Sequence, residues 1–514
     1  MAEKMILRAG TPDDDNRDYL PEEILGTDIV VNENGNNSHP WSPKLKEFHD
    51  TLDGFEGTWY EYVPESYDPA KKVPLVISLH GGVMTGWGQF AYSSWSMLAD
   101  KEGFIVAYPN AHANRFWAML NNPDYDAFFK GKSIGEFTIP KFPEKIEDDY
   151  DAQFLNALIT HLSKKYNIDT DRIFMQGMSN GCGMTNLFAR FFGGRLAGAA
   201  CSAGPGSIKW LVDEKGGLIN AGGPLDMWES HPEFNGSLGM TTAKQETQNV
   251  RESRYYWLKI NECAPVPQIA IDGEDNYAFF SGKKADYTFL DIKNRDHGQT
   301  LDEAFLYWDY FFANAKRNSK GGVDTGETSI PRKGDANAAA FEPGVAKVWW
   351  HNQVKELSQA PLKWQKLKYH GLNGGQKVRG EYTMVPAKFL AEMAGGEYLS
   401  SKDTLTAEIR LPDGRTCQFA RGSIGCLIDD SLRSMYCEAL HRNGELLVSV
   451  EWFVKCILNM QTSWCNDVLY VTDHFAELSF FMADLIKCLF KDRVLPADWH
   501  ELGKNLGENS PEKD

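Results

Sequence analysis

Arg172-Ile173-Phe174-Met175-Gln176-Gly177-Met178-Ser179-Asn180-Gly181-Cys182 is the stretch that decides how this chain is read. Its first half is a short apolar run, which predicts a strand over Arg172 to Gly177. From Cys182 to Phe192 the apolar spacing turns helical. Between them lies Gly-x-Ser-x-Gly, with Gly177 and Gly181 flanking Ser179. A serine hydroxyl is a weak nucleophile. It needs a base, donors for an oxyanion, and a position clear of the following helix. A tight strand-to-helix turn supplies that position, and the two glycines let neighbouring backbone approach it. Such pentapeptides also occur in plain loops, but here a strand precedes and a helix follows.

The same alternation continues on both sides. Val73 to His80, Phe104 to Pro109, Pro267 to Ile271 and Tyr287 to Ile292 read as strands. Asp149 to Tyr166 and Thr300 to Ala315 read as amphipathic helices, the first capped by Asp148 or Asp149. Strands and helices alternating over about 270 residues predict an α/β domain with a doubly wound, mostly parallel sheet. We place it at 55–317, after an N-terminal extension at 1–54. A Gly-, Pro- and Thr-rich stretch at 318–344 reads as a linker. A smaller α+β domain is expected at 345–490 and a polar tail at 491–514. The smaller domain holds a weak repeat: Val385 matches Val448 and Phe389 matches Trp452, both 63 residues apart, each in a strand–turn–helix.

With Lys+Arg at 53 and Asp+Glu at 71, the net charge of −18 argues against nucleic acid and anionic membrane surfaces as partners. No apolar run reaches the 18 residues of a membrane span. Nine cysteines, an odd number without a Cys-x-x-Cys pair, read as small core residues in a reducing compartment. The polar start lacks a leader pattern, so the chain as given reads as cytoplasmic, or as secreted if a leader was removed.

The remaining parts of the chemistry are sought around Ser179. One oxyanion N–H is expected from Asn180 and another from Gly82 or Val83, in Leu79-His80-Gly81-Gly82-Val83. His80 reads as a packed structural histidine. The base is expected at His297, on the loop after the Tyr287 strand; His231 lies too early in the chain. The acid remains open between Asp226 and Asp275. Trp87, Phe90, Tyr92, Trp95, Phe116 and Trp117 follow early strands and are candidates for an aromatic substrate rim, with Trp87, Phe90 and Trp117 foremost; each also suits a core. No His/Cys cluster has ligand spacing, and the chemistry requires neither metal nor cofactor.

Residues 55–317 resemble the polyhydroxybutyrate depolymerase/feruloyl esterase group of α/β-hydrolases. The likeness rests on Leu79-His80-Gly81-Gly82, Ala107-Tyr108-Pro109, Tyr166-Asn167-Ile168-Asp169-Thr170-Asp171-Arg172-Ile173 and the Ser179 pentapeptide. The resemblance implies a Ser-His-Asp triad, and the order Asp226, Trp257, Asn261-Glu262-Cys263 favours Asp226 as its acid. Where the group has His-Gly-x-x-Asp this chain has Ala221-Gly222-Gly223-Pro224-Leu225-Asp226, and Gln299 replaces an aromatic after the catalytic histidine. Met384-Val385-Pro386, Phe389-Leu390-Ala391-Glu392 resembles the paired-repeat domain named after the N-terminal domain of copper amine oxidases, which implies a stalk, binding or homo-oligomerisation module and no copper. The expected function is a serine esterase for feruloyl, acetyl or related small-molecule or polysaccharide-linked esters. A short-polyester depolymerase and a peptidase are the alternatives within this chemistry. A catalytically weak scaffold serving as a binding module is the alternative outside it.

Overall fold

The computed structural model describes residues 42–112, 115–120, 133–134, 137–138, 142–204, 211–213, 215–238, 242–368, 377–504, 506 and 511. The first 41 residues of the expected N-terminal extension, and most of the tail beyond 504, lie outside the described residues. The chain folds as two compact units. One holds residues up to 267 with 277–333 and 495–514, the other 268–276 with 334–494.

In the first unit six parallel strands form the centre of a large mixed sheet. Their spatial order is Ile105–Pro109, Val73–Leu79, Ile168–Met178, Gly198–Ser202, Asp226–Phe234 and Tyr287–Asp296. Phe55–Tyr62 and Leu45–Leu52 extend it antiparallel beyond Ile105–Pro109. Val73–Leu79 is the point where the winding reverses, with one successor on each side. In open α/β sheets a crevice forms there, beyond the carboxyl ends of the strands. The apolar runs Val73–Leu79 and Phe174–Met178 are buried on both faces, as a helix-covered parallel sheet requires. Tyr150–Lys165 starts where Asp149 caps it, its side chain accepting the Ala152 N–H.

Two elements run against their polar sequences. Asp226–Phe234, Asp-Met-Trp-Glu-Ser-His-Pro-Glu-Phe, is a nearly fully buried strand despite its polar sequence. Ala243–Ile260 is an 18-residue helix that buries Glu246, Arg251, Glu252 and Arg254. Both are held by side-chain hydrogen bonds: Glu229 accepts from Ser253 (2.5 Å) and Tyr287 (2.6 Å), and Trp257 donates to Asn186 (3.0 Å). Buried polar groups that satisfy one another cost little, so hydrophobic periodicity does not reveal them.

Three boundaries are corrected. Leu45–Leu52, assigned to the extension, is a sheet strand. The expected linker is structured: Lys316–Arg317 pairs with Val323–Asp324, Arg332 bridges Asp286 (2.8 Å), and Ala339–Phe341 is an inner strand of the second unit. In the tail, Trp499–Gly503 forms a 3-10 turn whose Leu502 carbonyl accepts from Arg251 (2.9 Å). The expected final helix is split into an α turn, Glu303–Tyr307, and a π turn, Trp308–Phe312.

The second unit consists mostly of antiparallel strands with the short helices Ala387–Met393, Val450–Cys456 and Phe480–Phe490. The two repeat copies pair strand to strand, with Val385 directly opposite Val448. Each strand runs into its helix, and Phe389 and Trp452 enter one shared core. All nine cysteines are free thiols, and seven are buried. Among the described residues no helix is long and apolar enough to cross a membrane.

Candidate active site

Ser179 sits between the strand Ile168–Met178 and the helix Asn180–Phe192, at φ 53° and ψ −116°. Such a conformation costs a non-glycine residue about 1–3 kcal/mol and persists only when its surroundings impose it. Ser179 N–H donates to Ser202 O (2.8 Å), and Ser179 O accepts from Gly183 N–H (3.1 Å). Both motif glycines are obligatory. A Cβ on Gly177 would lie 2.1 Å from Gly181 O, and one on Gly181 would lie 2.5 Å from His80 O. The turn is clamped between two adjacent strands, which leaves the hydroxyl at the carboxyl edge of the sheet.

His297 follows the strand Tyr287–Asp296, and its Nε2 lies 2.8 Å from Ser179 Oγ. Gln299, two residues on, ties this loop beneath the nucleophile: Gln176 Nε2 donates to Gln299 Oε1 (3.0 Å), and Gln299 N–H donates to Tyr92 OH (3.2 Å). The residue that departs from the resembled group is thus the anchor of the loop. Burial pushes the His297 imidazole down to about 4, against an upward pull from the Glu246 carboxylate and with a further downward push from His231. His297 is therefore neutral at pH 7, as a general base must be.

His297 Nδ1 faces Asn235 Oδ1 at 2.7 Å. Asn235 stands at the carboxyl end of Asp226–Phe234 and opens a 3-10 turn. This corrects the expected acid. Asp226 begins that strand, eight residues before its end. At about 3.3 Å per residue that is roughly 26 Å from the edge where His297 lies. Its carboxylate accepts instead from the Asp286 N–H and the Thr325 hydroxyl, both at 2.9 Å, and burial raises it to about 7. Asp275, the alternative, opens the strand Asp275–Phe280, and the place facing Nδ1 is taken by Asn235. The partner of Nδ1 is an amide, not a carboxylate, and it follows a strand whose polar sequence hides it. Its signal was position: Asn235 ends its strand just as His297 follows the neighbouring one.

The oxyanion donors are narrowed. Val83 (φ 67°) spends its N–H on Arg115 O (2.8 Å), which removes it as a donor. Gly82 remains, and a Cβ placed on it would lie 3.6 Å from Asn180 Cβ, so the two backbones are neighbours. The Asn180 N–H belongs to the first turn of its helix, where backbone donors have no intrahelical acceptor.

The aromatic rim is corrected. Trp117 is 0 % exposed: its N–H donates to Asn180 Oδ1 (2.6 Å), and its Nε1 donates to His80 O (2.8 Å). It fixes Asn180 and presents no open face. Phe90 packs against Tyr62 and Tyr108, and Trp87 lies on the same buried helix, Gly86–Tyr92. A helix buried on every side turns its aromatics into core. His80 is a structural histidine: Nδ1 donates to Gly81 O (2.6 Å), Nε2 accepts from Ala111 N–H (3.0 Å), and burial lowers it to about 4.

A serine on a strained strand–helix turn, with a neutral imidazole in reach, has the layout of a serine hydrolase site on an α/β sheet. Sequence comparison points the same way. The chain is 22 % identical over 282 residues to a bifunctional acetylxylan esterase/xylanase of Neocallimastix patriciarum, covering 54 % of this chain and 37 % of that protein. It is 28 % identical over 178 residues to a poly(3-hydroxybutyrate) depolymerase of Ralstonia pickettii, 32 % of each chain. It is 26 % identical over 157 residues to feruloyl esterase B of Neurospora crassa, 29 % of this chain and 47 % of that one. The chain thus spans about a third to a half of the length of these relatives. No protein-family model matches it. Among solved structures, an acetyl xylan esterase from Aspergillus awamori aligns at a TM-score of 0.37 and 16 % identity, over 51 % of this chain and 97 % of that one.

Proposed function

We propose that the chain is a carboxylic ester hydrolase working through an acyl-enzyme on Ser179. The observation that carries this is the 2.8 Å approach of His297 Nε2 to Ser179 Oγ. His297 takes the Ser179 proton as Oγ attacks the ester carbonyl. The N–H groups of Asn180 and Gly82 hold the oxyanion. The His297 imidazolium then gives its proton to the leaving alcohol, and water, activated by the same imidazole, releases the acid. The acyl group we favour is acetyl or feruloyl on a polysaccharide, because esterases of those names are among the relatives. The similarity to a poly(3-hydroxybutyrate) depolymerase supports a hydroxyacid polyester as the second reading.

Ser179→Ala is expected to lower turnover of p-nitrophenyl acetate by at least about 10⁴-fold with the fold intact. Unchanged turnover in that variant excludes the reading. Fluorophosphonate labelling of the parent separates an active serine from an inert scaffold. A panel varying acyl and alcohol parts independently then decides between polysaccharide ester and polyester.

A further inference from the structure

The charged group that a serine hydrolase ordinarily holds against its histidine is absent from position 235, where the side chain is a neutral amide. Behind that amide the hydrogen-bond chain continues. Asn235 Nδ2 donates to Glu246 Oε1 (2.6 Å), the same oxygen accepts from His231 Nε2 (2.9 Å), and His231 Nδ1 donates to Asp291 Oδ1 (3.1 Å). Glu246, His231 and Asp291 are all buried. We propose that Glu246 is the site's displaced acid: a positioning residue that, seated on His231 and Asp291, sets the sense of the Asn235 amide and thereby the tautomer of His297. This rests on the serine hydrolase reading above.

The argument begins with donors and acceptors. A carboxylate only accepts, so Glu246 admits the NH₂ of Asn235 and not its oxygen. The oxygen must then face His297, and it too only accepts. His297 Nδ1 consequently carries the proton, and Nε2 is left bare toward Ser179, which is the tautomer a general base needs. With the amide reversed, Nδ1 would face a donor, the proton would move to Nε2, and Ser179 would have no base.

The charges agree with this role. The Glu246 carboxylate stands one amide away from the point where the His297 imidazolium forms. Burial pushes His231 down, but its hydrogen bonds to Asp291 and Glu246 outweigh that and leave it raised to about 9. His231 therefore stays protonated and donates from both nitrogens. Glu246 lies in the first turn of Ala243–Ile260, whose positive end favours an anion. Asp291 is the direct cross-strand neighbour of His231 in the parallel register. Helix start and strand pairing thus converge on one imidazole.

The test uses the full chain with p-nitrophenyl acetate. Glu246→Gln is expected to lower kcat by about 10²–10⁴-fold with little change in KM, since a glutamine admits the reversed amide. The acid limb of kcat/KM should move to lower pH, because a negative charge that favours the imidazolium has been removed. The double substitution Asn235→Asp with Glu246→Gln returns a carboxylate to Nδ1 and should recover kcat to within about tenfold of the parent. A brace without electrical role would instead move Tm, KM and kcat together, with no recovery in the double variant. Independently of any variant, ¹⁵N-histidine NMR of the parent should show His231 doubly protonated up to pH 8; titration of that ring below pH 7 overturns the proposal. A Glu246→Gln enzyme with parental kcat and an unmoved acid limb also overturns it, while the serine hydrolase reading survives. A parent that neither takes a fluorophosphonate nor cleaves any ester brings down both.

Discussion

The Nδ1 nitrogen of His297 is held at 2.7 Å by the side-chain oxygen of Asn235, at the end of a strand whose first residue, Asp226, lies at the opposite edge of the sheet. An amide oxygen fixes ring orientation without placing a full charge against it. Asn235→Leu, which keeps the volume and deletes the acceptor, should lower kcat by about 10²–10⁴-fold and leave KM within about threefold. Steady-state kinetics on a soluble ester decide this, and a parental kcat would show that Asn235 does not orient His297.

The base must be neutral to act. Because burial depresses His297 to about 4, kcat/KM should stay flat from pH 8 toward pH 5 and fall with unit slope as pH drops through about 4. A limb near 6.5, the ordinary histidine value, would mean that the ring is solvated in the working enzyme.

Asp149 makes stability depend on pH in the opposite sense to most carboxylates. Its folded-state value is raised to about 8, chiefly by burial, and its Oδ2 has no hydrogen-bond partner. The folded state therefore binds a proton that the unfolded chain has released above about 4. Stability from this group is complete below the unfolded value and is lost as pH rises through about 8. Asp149→Asn keeps the oxygen that caps Tyr150–Lys165 and removes the titration. Its Tm should match the parent near pH 4 and exceed it by several degrees at pH 9; equal melting curves at pH 9 would refute the assignment.

Gly181→Ala would set a methyl 2.5 Å from the His80 carbonyl, a backbone atom that cannot swing aside. The turn must open or the strand Val73–Leu79 must shift, and either displaces Ser179. The variant should lose activity by more than about 10²-fold even where circular dichroism shows a folded protein. Retained activity would show that Gly181 is not needed for close approach.

Much of this was legible along the chain. The strands Val73–Leu79 and Ile105–Pro109 are continuous apolar runs whose ends fall within a residue of expectation, while Ile168–Met178 starts four residues before the expected Arg172 because its first half, Asp169-Thr170-Asp171-Arg172, is polar. Ser179 and His297 were legible because a glycine-flanked serine and a histidine after a late strand have local signatures. Asn235, Glu246 and Asp291 have none. Asn235 follows a strand and Glu246 lies on a helix whose buried faces are polar, so neither alternation nor helical periodicity marks them, and Asp291 is a single acid inside an otherwise legible strand.

The chain by itself determined the turn that strains Ser179, since glycines at 177 and 181 and the flanking strand and helix are local facts. It also marked His297 as the candidate base and Val385 and Val448 as matching repeat positions, whereas their strand pairing belongs to the tertiary structure. Only the tertiary structure decided what stands behind His297. Asn235, Glu246, His231 and Asp291 become partners through the register of two parallel strands and the docking of one helix. Hydrogen bonds among buried polar side chains select that arrangement, and no run of sequence encodes it alone.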